Sequence, residues 1–159
     1  MPTQIKEVHQ LRGFSRWAYR LPRWLFRLHL GWILGGRFLL LVHQGRKSGL
    51  PRQAVLEVIS HDRVRKSYCV FAGWGEQADW VRNVEKTPAV SITVGRRRLA
   101  AIARRLSPAE AEEVVLDYAR RYPIAMRVLP RLMGYRLDGT EEDFCAFARL
   151  GIVVAFQVL

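Results

Sequence analysis

Between Phe38 and Leu106 the chain is cut into short apolar runs separated by turn-forming residues, and this rhythm limits the possible folds more than any other feature. The runs are Phe38 to His43, Ala54 to Ser60, Tyr68 to Ala72, Ala89 to Val94 and Leu99 to Leu106, with Gly151 to Val158 near the end. Each has the length of a strand and is too short for an ordinary helix. The gaps carry hairpin chemistry in Gly45 to Pro51, His61-Asp62-Arg63 and Gly95 to Arg98. Strands joined by such short turns pair antiparallel, because a parallel crossover needs roughly a dozen residues or more. Gly75 to Glu85 reads as a short helix, stopped by Pro88. The expected class is therefore α+β, with about six mainly antiparallel strands in a sheet or small barrel rather than βαβ units.

Two later helices announce themselves by their caps. Ser107-Pro108-Ala109-Glu110 places an oxygen acceptor, a proline at the first helical position and a glutamate able to reach back to the cap, which predicts a helix to about Tyr122. Thr140-Glu141-Glu142-Asp143 opens another, with acids at the positive helix end. Before the strands, Met1 to Leu11 is polar enough for a loose arm. The segment of about residues 12–35 is helical in pattern: Arg12, Arg16, Arg20, Arg23 and Arg27 fall on one face, with Pro22 kinking or dividing it. Its apolar stretch, His29 to Gly36, is far short of the about 20 residues a membrane span needs. At 159 residues the whole of 1–159 is expected to be one domain.

Charge narrows the partner. The net charge is +12, and apart from Lys6, Lys47, Lys66 and Lys86 every cation is an arginine, whose flat fork suits phosphate and carboxylate oxygens. Up to Arg52 the only acid is Glu7. The anion is expected to meet this N-terminal part. Cys69 and Cys145 cannot form a disulfide framework or a four-ligand zinc site, and no metal is expected; a reduced, cytoplasmic setting fits. The arginine stripe with its tryptophans also admits peripheral attachment to the anionic inner face of the cell membrane, against a plain solvated basic face. Arg96-Arg97-Arg98 is a further basic run, but no nucleic-acid reading motif accompanies it.

Two segments carry the chemistry. In Gly45-Arg46-Lys47-Ser48-Gly49-Leu50-Pro51-Arg52, glycines flank three cations and a hydroxyl between two strands. Such a loop can aim amide hydrogens and charged side chains at one oxyanion, or it can be a solvated basic turn; composition leaves both open. In Phe71 to Asn83 a strand runs into Gly73-Trp74-Gly75 and a helix carrying Trp80 and Asn83. Glycines there can admit a flat ring, or merely make a tight turn with tryptophans in the core.

Taken together and in order, the segments resemble the deazaflavin-dependent nitroreductase family, which carries a G-R-K-[ST]-G-x-P-R loop, a glycine turn, a W-x-x-N helix and an N-P-x-V-type strand. The matches are Gly45 to Arg52, Gly73 to Gly75, Trp80 to Asn83, and Thr87-Pro88-Ala89-Val90, within a likeness from about Phe38 to Asp143. The resemblance implies a split β-barrel related to flavin-binding barrels, with peripheral helices and the 8-hydroxy-5-deazaflavin F420 in a groove, in preference to FMN. F420 ends in a phosphodiester and an oligoglutamate tail. Arg46, Lys47 and Arg52 would hold that anionic handle, with Ser48 and the Gly49 backbone adding hydrogen bonds. Gln53 and Ala54 would border the deazaflavin edge, Ala72, Gly73, Trp74 and Gly75 would pass beside the ring, and Trp80 and Asn83 are carried over as groove residues.

The implied activity is hydride transfer between reduced F420 and a small molecule: a quinone-like, nitroaromatic or other electron-poor organic acceptor. A non-catalytic module binding a cofactor, lipid or anion in the same groove is the alternative, and a homodimer follows by analogy with related barrels. Better-known members place tyrosines three and six residues beyond that of their Y-P pair. Here Tyr122 remains, those places are Ala125 and Val128, and Tyr122 and Tyr135 are the candidate proton donors. The four histidines, His43 among them, lack metal spacing and read as structural or exposed.

Overall fold

A computed structural model describes residues 2–4 and 35–159. The basic helical segment expected over about 12–35 lies, but for its last residue, outside the described residues. Six strands close into a barrel in the order β2(Phe38–Gln44), β3(Pro51–Asp62), β4(Ser67–Ala72), β8(Ile152–Val158), β6(Arg97–Arg105) and β5(Ala89–Val94), which returns to β2. Every neighbouring pair is antiparallel, as the short turns require. A separate two-stranded pair joins β1(Thr3–Gln4) to β7(Tyr135–Arg136).

Alternation along the strands builds the interior. Leu39 and Leu41 of β2, Val70 of β4, Ile92 of β5, Ala101 of β6, and Val154 and Phe156 of β8 form one buried cluster inside the barrel. The opposite faces of β3, β4 and β8 present Ile59, Cys69, Val153 and Ala155 to a second cluster. There they meet α2(Pro108–Arg121), α3(Pro123–Leu132) and α4(Glu141–Leu150), through Val115, Tyr118, Met126 and Phe147 among others. Burial in this layer pushes the Cys69 thiol up to about 11, so it is an inert packing group. Ion pairs cross the layer's exposed rim at Arg149–Glu112 (2.6 Å) and Arg120–Glu141 (2.8 Å).

The caps behave as their residues dictate. Ser107 Oγ accepts from Glu110 N, while the Glu110 carboxylate accepts from Ser107 N at 2.8 Å, closing the capping box of α2. Thr140 Oγ1 accepts from Asp143 N at the start of α4. Several boundaries differ from the sequence reading, and the turn expected at His61-Asp62-Arg63 lies at residues 63–66, with His61 and Asp62 still paired in β3 to Tyr68 and Ser67. Strand β3 begins at Pro51 rather than Ala54, and β6 at Arg97 rather than Leu99, because backbone pairing continues past the apolar residues: Arg52 lies opposite His43 and Arg97 opposite Val94. The helix expected over Gly75 to Glu85 is a 3-10 turn, Gly75–Gln77, followed by α1(Asp79–Lys86), since Ala78 between them is extended. Helix α3 was not anticipated: Pro123 at its first position is compatible with a helix start, but Pro130 within it argues against one.

Candidate functional site

The loop Gly45–Leu50 joins β2 to β3 at one end of the barrel and is folded on itself. Gly45 N donates to Leu50 O (2.8 Å), Gly49 N to Gly45 O (2.9 Å), and Leu50 N to Ser48 Oγ (3.2 Å). Gly49 has φ +69°, a left-handed conformation that side chains disfavour. Arg46 turns towards the protein. Its backbone N and its Nη1 both donate to Asn83 Oδ1, at 3.1 and 3.0 Å, and its Nη2 donates to Asp79 Oδ1 at 2.9 Å. Lys86 Nζ completes the attachment by donating to the Arg46 carbonyl at 2.8 Å. One arginine thus binds the loop to α1, and the two sequence motifs become one site.

Beneath this attachment lies His43, inward-facing and only 6% exposed. Asn83, 5% exposed, has its carbonyl oxygen occupied by the two Arg46 donors, so its amide NH2 is what faces His43 Nδ1, 3.1 Å away. Nδ1 must then accept, which puts the ring proton on Nε2 and keeps the imidazole neutral. Burial first, and Arg52 second, hold its pKa below the ordinary histidine value. Sequence reading passed over His43 as structural or exposed. Its place in the Leu39, Leu41, His43 alternation was the available signal.

The outer part of the loop has different properties. Lys47, Ser48 and Arg52 are exposed. Among the described residues no acceptor engages the Lys47 ammonium, the Arg52 guanidinium or the backbone N–H groups of Lys47 and Ser48. A braced loop with two uncommitted cations and two uncommitted amides is able to hold an oxyanion. Beside it opens a cavity of about 390 Å³, bordered by Val42, His43, Gln44, Gly49, Pro51 and Ser91. Gln53 is exposed next to Arg52, while Ala54 points into the barrel and packs against its core.

The second motif is more firmly packed than its glycines suggest. Ala72 is buried in the barrel core. At Gly73 an added Cβ would lie 1.8 Å from Met133 Cε, so the absence of a side chain makes room for that methionine. Gly75 has φ +51° where the chain turns into the 3-10 segment, and Trp74 between the two glycines is exposed. Trp80 is partly buried, its ring 6.3 Å from that of Phe156 at the barrel centre. Sequence reasoning missed Asp79, Lys86 and Met133, whose parts depend on contacts across the fold.

A family model described as F420H(2)-dependent quinone reductase matches residues 27–129. The chain belongs to this family. As a member of the F420H(2)-dependent quinone reductase family it is an F420-dependent oxidoreductase that carries out F420-dependent reduction. Solved structures agree on the fold. An F420-H2 dependent reductase (FDR-A) is 23% identical, with 76% of this chain and 94% of that chain covered and a TM-score of 0.53. A protein described as a domain-swapped dimer is 20% identical over 91% of this chain and 100% of its own, with a TM-score of 0.54. The heme storage protein HutZ from Vibrio cholerae shares 14% identity over 81% of this chain and 86% of its own, at 0.52. The split barrel expected from the sequence is the fold observed.

In this quinone reductase family member the two tyrosines considered as proton donors have different surroundings. Tyr122 is exposed at the junction of α2 and α3, with the guanidinium groups of Arg37 and Arg121 at 5.7 and 5.6 Å from its ring centre. Neighbouring Tyr118 donates to Glu57 Oε1 at 3.0 Å, and burial followed by the Glu57 charge raises its pKa, making it a poor acid. Tyr135 is half-buried, edge-on to Phe147 at 6.1 Å. Among the described residues no helix is long and apolar enough to cross a membrane, and no group of His, Cys, Asp and Glu could hold a metal.

Proposed function

We propose that this enzyme passes a hydride from reduced F420 to a quinone-like, nitroaromatic or other electron-poor organic acceptor, with the acidic handle of the cofactor on the Gly45–Arg52 loop. One observation carries the reading: Lys47 and Arg52 have no partner among the described residues, on a loop whose third cation, Arg46, is spent on holding it in place. That donor set suits a phosphodiester and a run of carboxylates. When bound, reduced F420 supplies the hydride, and the protein is left with binding, orientation and exclusion of water.

In this reading Lys47, Arg52, Ser48 and the amides of the loop bind the handle, and Arg46 and Asn83 set the loop's position. Gln53 and Ala54 adjoin the ring on one side and the Ala72–Gly75 turn with Trp80 on the other, Met133 moving off Gly73 on its unbranched side chain where the ring needs that space. A quinone taking up one hydride also needs one proton, for which Tyr122 and Tyr135 are the candidate donors. A homodimer is a further part of the reading; the domain-swapped neighbour is a dimer in its own right.

The test is titration with F420 and its reduced form, following cofactor fluorescence, and then oxidation of the reduced form by a panel of quinones, nitroaromatics and enones. Turnover of one of these classes is expected. Tight F420 binding with no oxidation by any of them would leave the acceptor assignment without support.

A further inference from the structure

Helix α3 turns an unusual face to solvent. Ile124, Val128 and Leu132, spaced four apart and so on one side, are 77%, 48% and 58% exposed. Arg127 and Arg131 interleave with them on the same side and are exposed too. Neither arginine has an ion pair or hydrogen bond among the described residues, and the helix contains no acid. The opposite side, with Met126 and Pro130 buried, is the one that packs on the protein. Immediately after Leu132, Met133 lays its Sδ and Cε on Gly73, so the stripe ends at the turn that carries exposed Trp74.

Three large aliphatic side chains kept in water between two unpaired arginines call for a surface that is apolar and anionic together. A second copy of the same helix is a poor match, because symmetric pairing would bring Arg127 and Arg131 against their own kind with no acid on the helix to meet them. An anionic bilayer meets both demands: phosphates receive the guanidinium groups while the aliphatic side chains enter the boundary of headgroups and acyl chains. The net charge of +12 adds attraction at longer range.

We propose that α3 is a docking face for anionic phospholipid, and that docking brings the Gly73–Gly75 turn to the lipid surface, where a lipophilic acceptor is met. The second half rests on the quinone-like acceptor argued above; the docking itself does not.

The experiment is co-sedimentation of the full chain, loaded with F420, with vesicles of phosphatidylcholine and phosphatidylglycerol, against vesicles of phosphatidylcholine alone. The wild type is expected to bind the anionic vesicles selectively. Ile124→Ser with Leu132→Ser, and separately Arg127→Glu with Arg131→Glu, are each expected to weaken that binding about tenfold or more. Both double variants should keep F420 binding, as a check on folding, and wild-type turnover of a short-chain, water-soluble quinone. Wild-type failure to sediment, equal binding to both vesicle types, or undiminished binding of the uncharged serine variant would each overturn the proposal. Soluble-quinone turnover without vesicle binding would remove the docking face and leave the acceptor reading standing. Vesicle binding lost in the variants, with no soluble quinone reduced by any form, would do the reverse.

Discussion

At the scale of single residues the site turns on a division of labour among neighbouring cations. Arg46 is committed to Asn83 and Asp79, while Lys47 and Arg52 are uncommitted. Replacing both with alanine, Lys47→Ala with Arg52→Ala, should weaken F420 binding by about 2 to 4 kcal/mol, at roughly 1.5 to 3 per charged hydrogen bond and less than full additivity. Fluorescence titration measures it, and unchanged affinity in a folded variant would exclude the loop as the handle site. His43 gives a second expectation. Its folded pKa lies below its unfolded value near 6.5, so below about pH 6.5 the unfolded chain binds the extra proton. The stability owed to neutral His43 is therefore fully present above that pH and is lost as pH falls towards the folded pKa. The melting temperature should decline in that window, and less so in His43→Gln. Carboxylates with lowered pKa values, such as Glu110 at about 2, lose their contribution only at more acid pH.

Among the elements, α2 is the one whose start can be read letter by letter, and its capping box forms as written. Ser107→Ala removes the acceptor for Glu110 N and should cost about 1 kcal/mol, measured as a lowered urea midpoint with an unchanged slope. An unaltered midpoint would mean that packing of Ala111 in the outer layer alone fixes that end. By contrast α3 carries a proline in its interior that argues against a helix, and it is held by Met126 and Pro130, which are buried against the outer layer. The break ahead of α1 is likewise not a local preference: Gly75, with φ +51°, turns beside the backbone of Leu150 and Gly151, and Ala78 is extended.

For the whole molecule, closure of the barrel makes its centre a shared resource. Phe156, fully buried, packs inside the barrel and touches Trp80 of α1, the helix to which the loop is tied. Phe156→Ala should destabilise the fold by about 3 to 5 kcal/mol, through lost burial and the cavity left behind. Because α1 leans on that ring, F420 affinity should fall together with the denaturant midpoint. A loss of stability with wild-type affinity would show that the site does not depend on the barrel centre.

By itself the sequence determined the strand rhythm, the antiparallel class, the capped helices and the two motifs, because each is encoded by neighbours in the chain: alternation, turn residues and cap oxygens act over a few positions. The tertiary structure alone decided which cation in Arg46-Lys47 is spent on architecture, that His43 is neutral beneath Asn83, and that Met133 fills the space at Gly73. Those outcomes depend on groups dozens of residues apart meeting at about 3 Å, where hydrogen bonding and burial are settled by geometry that no local pattern specifies.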